Sequence, residues 1–174
     1  AAIHKAADAG TLVFGVCGGY QMLGRTVSDP EQVEAAGTTE ILGMGLLEMD
    51  TIFLGEKVQA QTTGVFAGIS GVLSDLNGMS YSGYEIHMGR SEEEMPALAG
   101  TGNVYGSYVH GVFDASGISD TILKALCVRK GIDFDALETF DVEAYKERQY
   151  DLLADAVRSG LDMEFIYRAL NREL

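Results

Sequence analysis

The stretch LVFGVCGGYQMLG, residues 12–24, decides the fold, because an apolar run leads directly into a cysteine and two glycines. Residues 11–16 are apolar, continuous and rich in β-forming side chains, which predicts a short buried strand. A helix is expected to begin near Gly18. The sequence therefore predicts a tight strand-to-helix turn with Cys17 at its tip.

The composition excludes several classes of protein. The 174 residues are 47% hydrophobic and 22% charged, which suits one globular domain. A formal net charge of −14 disfavours a nucleic-acid partner. No apolar run could span a bilayer, and the start does not resemble a signal peptide. The two cysteines form no Cys-x-x-Cys pair. We therefore expect a cytoplasmic chain without a disulfide framework, metal site or membrane partner.

Strand patterns dominate the middle of the chain. Residues 26–43 are polar and predict a surface loop or short helix. Successive strands joined by tight turns are predicted in GLLEMDTIFLG, EKVQAQTTGVFAG and MSYSGYEIHMGR. The segment NVYGSYVHGVFD predicts a further strand that ends at His110 and Gly111.

Helical periodicity takes over after Gly117. Apolar residues at positions 118, 122, 125 and 126 predict a helix that Gly131 stops. The remaining residues predict two or three amphipathic helices broken near Gly160. Strands before helices, with a strand–Cys–Gly–Gly–helix unit at the front, predict an α/β fold.

The first residues suggest a fragment. Residues 1–9 are mostly good helix formers, Gly10 is a suitable cap, and no initiator methionine is present. Because an α/β domain rarely starts in the last turns of a helix, we expect a domain truncated at its N-terminus.

The turn around Cys17 has the spacing of a nucleophile elbow. GVCGG places Gly15, Cys17 and Gly19 as in G-x-S-x-G, with cysteine in place of serine. Glycines keep such a turn free of clashing side chains, and a helix N-terminus stabilises a thiolate. The Gly18 N–H could then stabilise an oxyanion. A core cysteine beside a glycine-rich turn is the alternative.

A thiol nucleophile needs a base, and the chain has three histidines: His4, His87 and His110. His4 falls in the short first helix and is expected on the surface. His110 ends a predicted strand and precedes a glycine, so its side chain can project into a cleft. His110 is therefore the preferred base, provided that Cys17 is the nucleophile.

Two carboxylates lie near these histidines in sequence. Asp114 follows His110 by four residues, and Glu85 precedes His87 by two. Neither spacing is diagnostic of a triad, so both are expected to be surface groups or supporting groups.

GVCGGYQMLG resembles the nucleophile motif of class I glutamine amidotransferases, G-[IV]-C-x-G-x-Q, and most closely its variant in the cobyric acid synthase family of the cobalamin pathway. Three later stretches have the order and spacing of the same family: GMGLLEMDTIF, GYEIHMGR and VYGSYVHGVFD. The sister family that makes cobyrinic acid a,c-diamide usually lacks the Tyr-Gln-Met-Leu continuation and is the second choice. The resemblance implies a flavodoxin-like sheet flanked by helices, with the amidotransferase domain in residues 1–135 and its terminal helices in residues 136–174.

The resemblance also implies roles for individual residues. Cys17 would attack the side-chain amide of glutamine, and His110 would act as general base and acid. Gln21 would help to hold the glutamine, and Gly18 would lend one oxyanion donor. The resemblance implies a cysteine–histidine dyad and not the usual triad, since Val112 stands where an H-x-E motif would carry glutamate.

The same resemblance implies a partner outside this chain. Ammonia would pass to an N-terminal synthetase domain that uses ATP and magnesium to activate corrinoid carboxylates. No G-x-x-x-x-G-K-[ST] phosphate loop is present here, so no cofactor is predicted in this domain. The family's early glycine-rich loop, which gives a second oxyanion donor, is also not found, and we expect little activity from the chain alone.

Two other functions use the same features. A redox-protective or peptidase-like protein can also carry a cysteine at a strand-to-helix elbow, although Gln21 and the later motifs argue against it. A non-catalytic domain that binds a partner is the third candidate, and it predicts that the Cys17 thiol does no chemistry.

Overall fold

A computed structural model describes residues 2–37, 39–91, 96–115, 117–137 and 142–172. These residues form a mixed α/β structure, as predicted. The strands are β1 (Val13–Val16), β2 (Thr26–Ser28), β3 (Glu40–Leu42), β4 (Asp50–Val65), β5 (Ser80–Arg90), β6 (Ala99–Thr101) and β7 (Val104–Ser107). The helices are α1 (Ala2–Asp8), α2 (Gly18–Leu23), α3 (Ile118–Lys130), α4 (Val142–Gly160) and α5 (Met163–Leu170). Short 3-10 helices span Gly71–Leu76 and Phe134–Ala136.

The first sheet has the order β1-β7-β6, with β1 parallel to β7 and β6 antiparallel to it. The register pairs Val13 with Val104 and Val16 with Ser107. The carboxyl ends of β1 and β7 therefore lie side by side. The predicted strand at residues 11–16 is confirmed by β1.

The strand predicted to end at His110 is shorter than expected. β7 stops at Ser107, whose hydroxyl accepts the N–H of Val109 at 3.0 Å. His110 then forms an isolated antiparallel bridge with Tyr84 of β5. The prediction was wrong because the side-chain hydroxyl of Ser107 turns the chain away from the sheet, which the apolar pattern does not reveal.

The second sheet has the order β3-β2-β4-β5. Its first two strands lie in residues 26–43, where a loop or short helix was predicted. The prediction is confirmed for residues 29–37, which form turns and bends, and wrong for the two short strands. Sequence reasoning missed them because β2 is stabilised by parallel pairing with residues 50–52, which are distant in sequence. Between β2 and β3, the buried Asp29 carboxylate accepts N–H groups from Val33, Glu34 and Ala35 at 2.8–2.9 Å. Burial alone would raise the pKa of Asp29, but the backbone N–H donors outweigh it and lower that pKa below its ordinary value.

β4 and β5 pair antiparallel along most of their length. Two strands had been predicted where the structure has the single strand β4, since its chain passes through Gly55 without a turn. The regular register runs from Val65–Ser80 to Val58–His87 and resumes at Phe53–Gly89. An irregularity between these two pairs absorbs the extra residues of β4.

The core consists of two apolar clusters. One joins β7, the first 3-10 helix and α3, with Leu73, Leu76, Tyr105, Val109 and Ile118 among its most buried side chains. The other packs α2 on the first sheet and is centred on Tyr20, Leu23, Met49 and Tyr108. Gly106 is essential to this contact, because a Cβ there would overlap the Tyr20 ring.

The predicted helices are largely confirmed. α1 covers most of residues 1–9, and α3 ends at Gly131, whose φ of 65° gives a left-handed cap. Cys127 of α3 is buried, as expected of a core cysteine.

α4 and α5 form a compact unit separate from the one that extends to Leu137. α4 ends at the predicted break, Gly160, and Asp162 caps α5 by accepting the Phe165 N–H at 2.9 Å. None of the helices in the described ranges combines the length and apolarity needed to cross a bilayer. The assignment of residues 136–174 to the same domain as the preceding residues stays a prediction.

The turn between β1 and α2 depends on Gly15. A Cβ on Gly15 would lie 2.7 Å from the Gly19 carbonyl group and from the Tyr20 nitrogen. At Gly19 itself, no described atom lies within 4 Å of the position a Cβ would take. The two glycines of the motif therefore differ in how much space surrounds them. A side chain at position 15 would clash with the backbone, whereas one at position 19 would not.

This difference gives a matched pair of variants. Gly15→Ala places a methyl group against backbone atoms that cannot move independently, so the free energy of unfolding should fall by about 1–3 kcal/mol. Gly19→Ala adds a good helix former in open space and should not lower that free energy. Urea unfolding followed by circular dichroism measures both. Equal stabilities of the two variants would contradict the packing assigned to Gly15.

Candidate active site

Cys17 lies at the tip of the turn that follows β1, as predicted. Its φ of 51° and ψ of −113° are unfavourable for any residue with a Cβ. Two backbone hydrogen bonds fix this conformation: the Cys17 N–H donates to the Ser107 carbonyl at 2.8 Å, and its carbonyl accepts from the Gln21 N–H at 3.0 Å. The surrounding structure therefore imposes a strained backbone on the cysteine.

The Cys17 side chain is half-buried and accessible from the open side of the turn. Its Sγ lies 3.7 Å from the Ile86 carbonyl oxygen of β5, to which the thiol donates. Apart from its chain neighbours and the backbone of α2, a Cβ placed on Gly18 would have no described atom within 4 Å, so free space adjoins the start of α2. The alternative of a core cysteine does not fit these surroundings.

His110 lies just beyond the carboxyl end of β7. Its backbone N–H donates to the Tyr84 carbonyl at 2.8 Å, and its ring stacks on Tyr84 with centroids 5.1 Å apart. The Nε2 atom is buried and has no hydrogen-bond partner among the described residues. A buried imidazole nitrogen without a hydrogen-bond partner is costly, so this arrangement calls for an explanation.

Both residues lie against the same short stretch of β5. Cys17 contacts Ile86, and His110 contacts Tyr84, two residues earlier on that strand. Residues i and i+2 of a strand are about 6.6 Å apart. The parallel pairing of β1 with β7 and the contacts to β5 thus bring the predicted nucleophile and base to one place.

Gln21 also lies beside Cys17. Gln21 follows Cys17 by four positions, and its N–H donates to the Cys17 carbonyl at 3.0 Å, so the two residues adjoin at the first turn of α2. Gln21 is 6% exposed, and its amide lies so close to Gly89 of β5 that a Cβ there would overlap Nε2. Gly18 provides one of the first amides of α2, which have no carbonyl partner within the helix.

The two predicted carboxylates are placed differently. Glu85 lies 3.1 Å from His87 Nε2, so its partner is His87 and not His110. Asp114 lies in the turn after His110, where its N–H donates to the Gly111 carbonyl at 2.9 Å. Its supporting role stays a prediction. Val112 is 2% exposed and belongs to the core, so the H-x-E position offers no carboxylate.

Sequence reasoning missed the contribution of β5. Tyr84 and Ile86 fall in the predicted strand MSYSGYEIHMGR, for which only His87 and Glu85 were considered as functional residues, yet they provide the contacts to His110 and Cys17. The Ile86–Cys17 contact spans 69 positions in the chain, so no local pattern signals it. Ser107 was missed for the same reason: its carbonyl receives the Cys17 N–H from another strand.

The strain at Cys17 can be measured. Cys17→Gly removes the Cβ that makes a φ of 51° unfavourable, whereas Cys17→Ala keeps it. The glycine variant should therefore be more stable than the alanine variant by about 1 kcal/mol or more, a reversal of the usual order. Thermal unfolding of the two variants tests this, and an alanine variant that is equally stable or more stable would contradict the strained geometry.

Comparison with known proteins identifies the family of this chain. The family model of CobB/CobQ-like glutamine amidotransferase domains matches residues 1–118. A cobyric acid synthase from Lachnoclostridium phytofermentans is 46% identical over 98% of this chain and 38% of its own length. Cobyric acid synthases from Ruminiclostridium cellulolyticum and Dehalococcoides mccartyi are 43% and 41% identical, over 97% of this chain and 36% of their own lengths. The chain therefore spans well under half of these relatives, and it belongs to the family of CobB/CobQ-like glutamine amidotransferase domains.

Proposed function

We propose that this chain releases ammonia from the side-chain amide of glutamine, with Cys17 as nucleophile and His110 as general base and acid. One observation carries the proposal. A strained cysteine, and a histidine whose buried Nε2 has no partner among the described residues, follow the adjacent carboxyl ends of two parallel strands. Ligands of α/β proteins bind at that end of the sheet.

The reaction follows from these groups. His110 Nε2 takes the thiol proton while Cys17 Sγ attacks the amide carbon, and the carbonyl electrons move to the oxygen. The Gly18 N–H donates to the resulting oxyanion. When the oxyanion collapses, the C–N bond breaks, and His110 returns the proton to the leaving ammonia. Water then attacks the thioester with His110 as base, so glutamate leaves and the thiol is restored.

The substrate would occupy the open side of the turn. Free space adjoins Gly18, and Gln21 follows on the same side of α2. We assign Gln21 to holding the glutamine beside Cys17. Because Val112 occupies the H-x-E position, we assign the reaction to a cysteine–histidine dyad, in which the stacked Tyr84 ring restrains the imidazole of His110.

The three-stranded sheet is proposed to be part of a flavodoxin-like sheet flanked by helices. The parallel neighbours β1 and β7, with functional residues directly after each strand, support this assignment. It is the arrangement in which the carboxyl ends of parallel strands form the site.

The reaction of the whole protein is a further proposal. The relatives named cobyric acid synthase carry more than half of their length outside the matched region. We propose that an N-terminal synthetase region uses this ammonia to amidate corrinoid carboxylates in the cobalamin pathway, with ATP and magnesium bound there. A role in making cobyrinic acid a,c-diamide is the alternative, and the names of the relatives favour the first. A cytoplasmic location stays a prediction.

Covalent labelling tests the proposed reaction. A chloroketone analogue of glutamine should add once to Cys17, and excess glutamine should block it, because the reagent needs both the thiol and the glutamine pocket. His110→Ala should slow labelling and should lower kcat/KM for glutamine hydrolysis by about 100-fold to 10,000-fold. Intact mass and a coupled glutamate assay give the two readouts.

Cys17→Ala and Cys127→Ala are the matched controls. The first should abolish labelling, and the second, at a buried core cysteine, should leave it unchanged. Labelling of Cys127, or labelling that glutamine does not block, would contradict a glutamine pocket at Cys17. Oxidation of Cys17 by peroxide without any reaction with the analogue would favour the redox function instead.

A further inference from the structure

His87 is the most fully partnered histidine near the site. Its side chain is 7% exposed, with Nδ1 2.7 Å from the Gly89 carbonyl oxygen and Nε2 3.1 Å from a Glu85 carboxylate oxygen. Its ring stacks on Tyr108 with centroids 4.0 Å apart. Both ring nitrogens of His87 thus have hydrogen-bond partners, whereas Nε2 of His110 has none in the described part of the chain.

The two ring nitrogens of His87 both face oxygen atoms, so the number of N–H groups on the ring matters. A carbonyl oxygen and an ionised carboxylate only accept hydrogen bonds, whereas a neutral imidazole has a single N–H. Both contacts are satisfied only if one further proton is present, either on the second ring nitrogen of His87 or on Glu85. In both cases neither ring nitrogen keeps a free lone pair. Both ring nitrogens of His87 are therefore engaged by protein groups.

The two hydrogen bonds of His87 span an irregular stretch of β5. Regular pairing with β4 stops at His87, which pairs with Val58, and resumes at Gly89, which pairs with Phe53. Residues 54–57 of β4 lie between these two partners. The ring connects Glu85, on the regular side, to Gly89, on the far side. The ring thus adds one contact on each side of the irregularity.

The stretch that His87 fixes carries two contacts to the proposed site. The Ile86 carbonyl accepts from the Cys17 thiol at 3.7 Å, and the Gly89 backbone lies directly against the Gln21 amide. The His87 ring joins Glu85 to Gly89. Ile86 lies between these two residues, and Gly89 is one of them. The ring therefore sets the positions of these two contacts relative to each other.

Stacking extends the same support towards His110. Tyr108, the ring on which His87 packs, precedes His110 by two residues, and its hydroxyl lies 2.9 Å from Ser91 Oγ. Ser91 Oγ in turn lies 3.1 Å from Thr51 Oγ1. The His87 ring thus contacts the segment that leads to His110 as well as the stretch of β5 beside Cys17.

We propose that His87, bridging Glu85 and the Gly89 carbonyl, is a positioning residue for glutamine hydrolysis at Cys17. It acts through β5 and Tyr108, and does not itself exchange protons with the substrate. The inference rests on the proposed function, since it assigns His87 to support of that same site.

Four variants separate the contacts of the pair. His87→Phe keeps an aromatic ring for Tyr108 and removes both hydrogen bonds. Glu85→Ala removes one acceptor, whereas Glu85→Gln keeps an oxygen acceptor and adds a donor that suits a neutral ring. His4→Phe makes the same change as His87→Phe at a half-buried position on α1 and is the matched control.

Glutamine hydrolysis should respond in a graded way. His87→Phe should lower kcat by about 10-fold to 100-fold with a smaller change in KM, because the reacting groups are misplaced but the pocket remains. Glu85→Ala should lower kcat by about 10-fold, and Glu85→Gln should recover it to within about threefold of the starting protein. Alkylation of Cys17 by iodoacetamide should slow in the same order, and His4→Phe should change neither rate.

The outcomes test separately the proposed glutamine hydrolysis at Cys17 and the positioning role of His87. If the unmodified chain neither hydrolyses glutamine nor reacts with the chloroketone, the proposed function fails, and the iodoacetamide rates alone decide the role of His87. A folded His87→Phe variant with unchanged rates would overturn the inference, as would a Glu85→Gln variant as impaired as Glu85→Ala. If His87→Phe does not fold, as judged by circular dichroism, the comparison of the two Glu85 variants gives the answer.

Discussion

The parallel pairing of β1 with β7 is the constraint on which the site depends. It places Val16 beside Ser107, so the residues after both strands emerge at one edge of the sheet. The Ser107 carbonyl then receives the Cys17 N–H, which helps to hold the cysteine in its strained conformation. This pairing determines where Cys17 and His110 leave the first sheet, because each follows the end of one of its strands.

The second sheet completes the site from the other side. β5 contacts Cys17 through Ile86 and His110 through Tyr84, so two strands of the first sheet converge on one strand of the second. The histidines have correspondingly different surroundings: Nε2 of His110 lacks a described partner, whereas both ring nitrogens of His87 are bonded. We attribute proton transfer to the first and positioning to the second.

The sequence predicts features that depend on neighbouring residues. The turn at Cys17 has a local glycine requirement at Gly15, and α3 has its own periodicity and stop signal, so both were predictable. β2 was not, because its pairing partner lies more than twenty residues away. The early end of β7 was hidden for another reason: Ser107 turns the chain with its hydroxyl, while the apolar pattern continues to Val109. The bridge between Glu85 and His87 could not be read from their spacing, which is common to all strands.

Trapping the intermediate on Cys17 tests most directly whether this residue is the nucleophile. The chain is mixed with glutamine, quenched in acid within the first turnover, and examined by intact mass and peptide mapping. We expect a mass increase equal to glutamine minus ammonia, located on Cys17 and removed by hydroxylamine, as expected of a thioester. Glutamate formation without this adduct, or an adduct at another residue, would contradict the claim that Cys17 is the nucleophile.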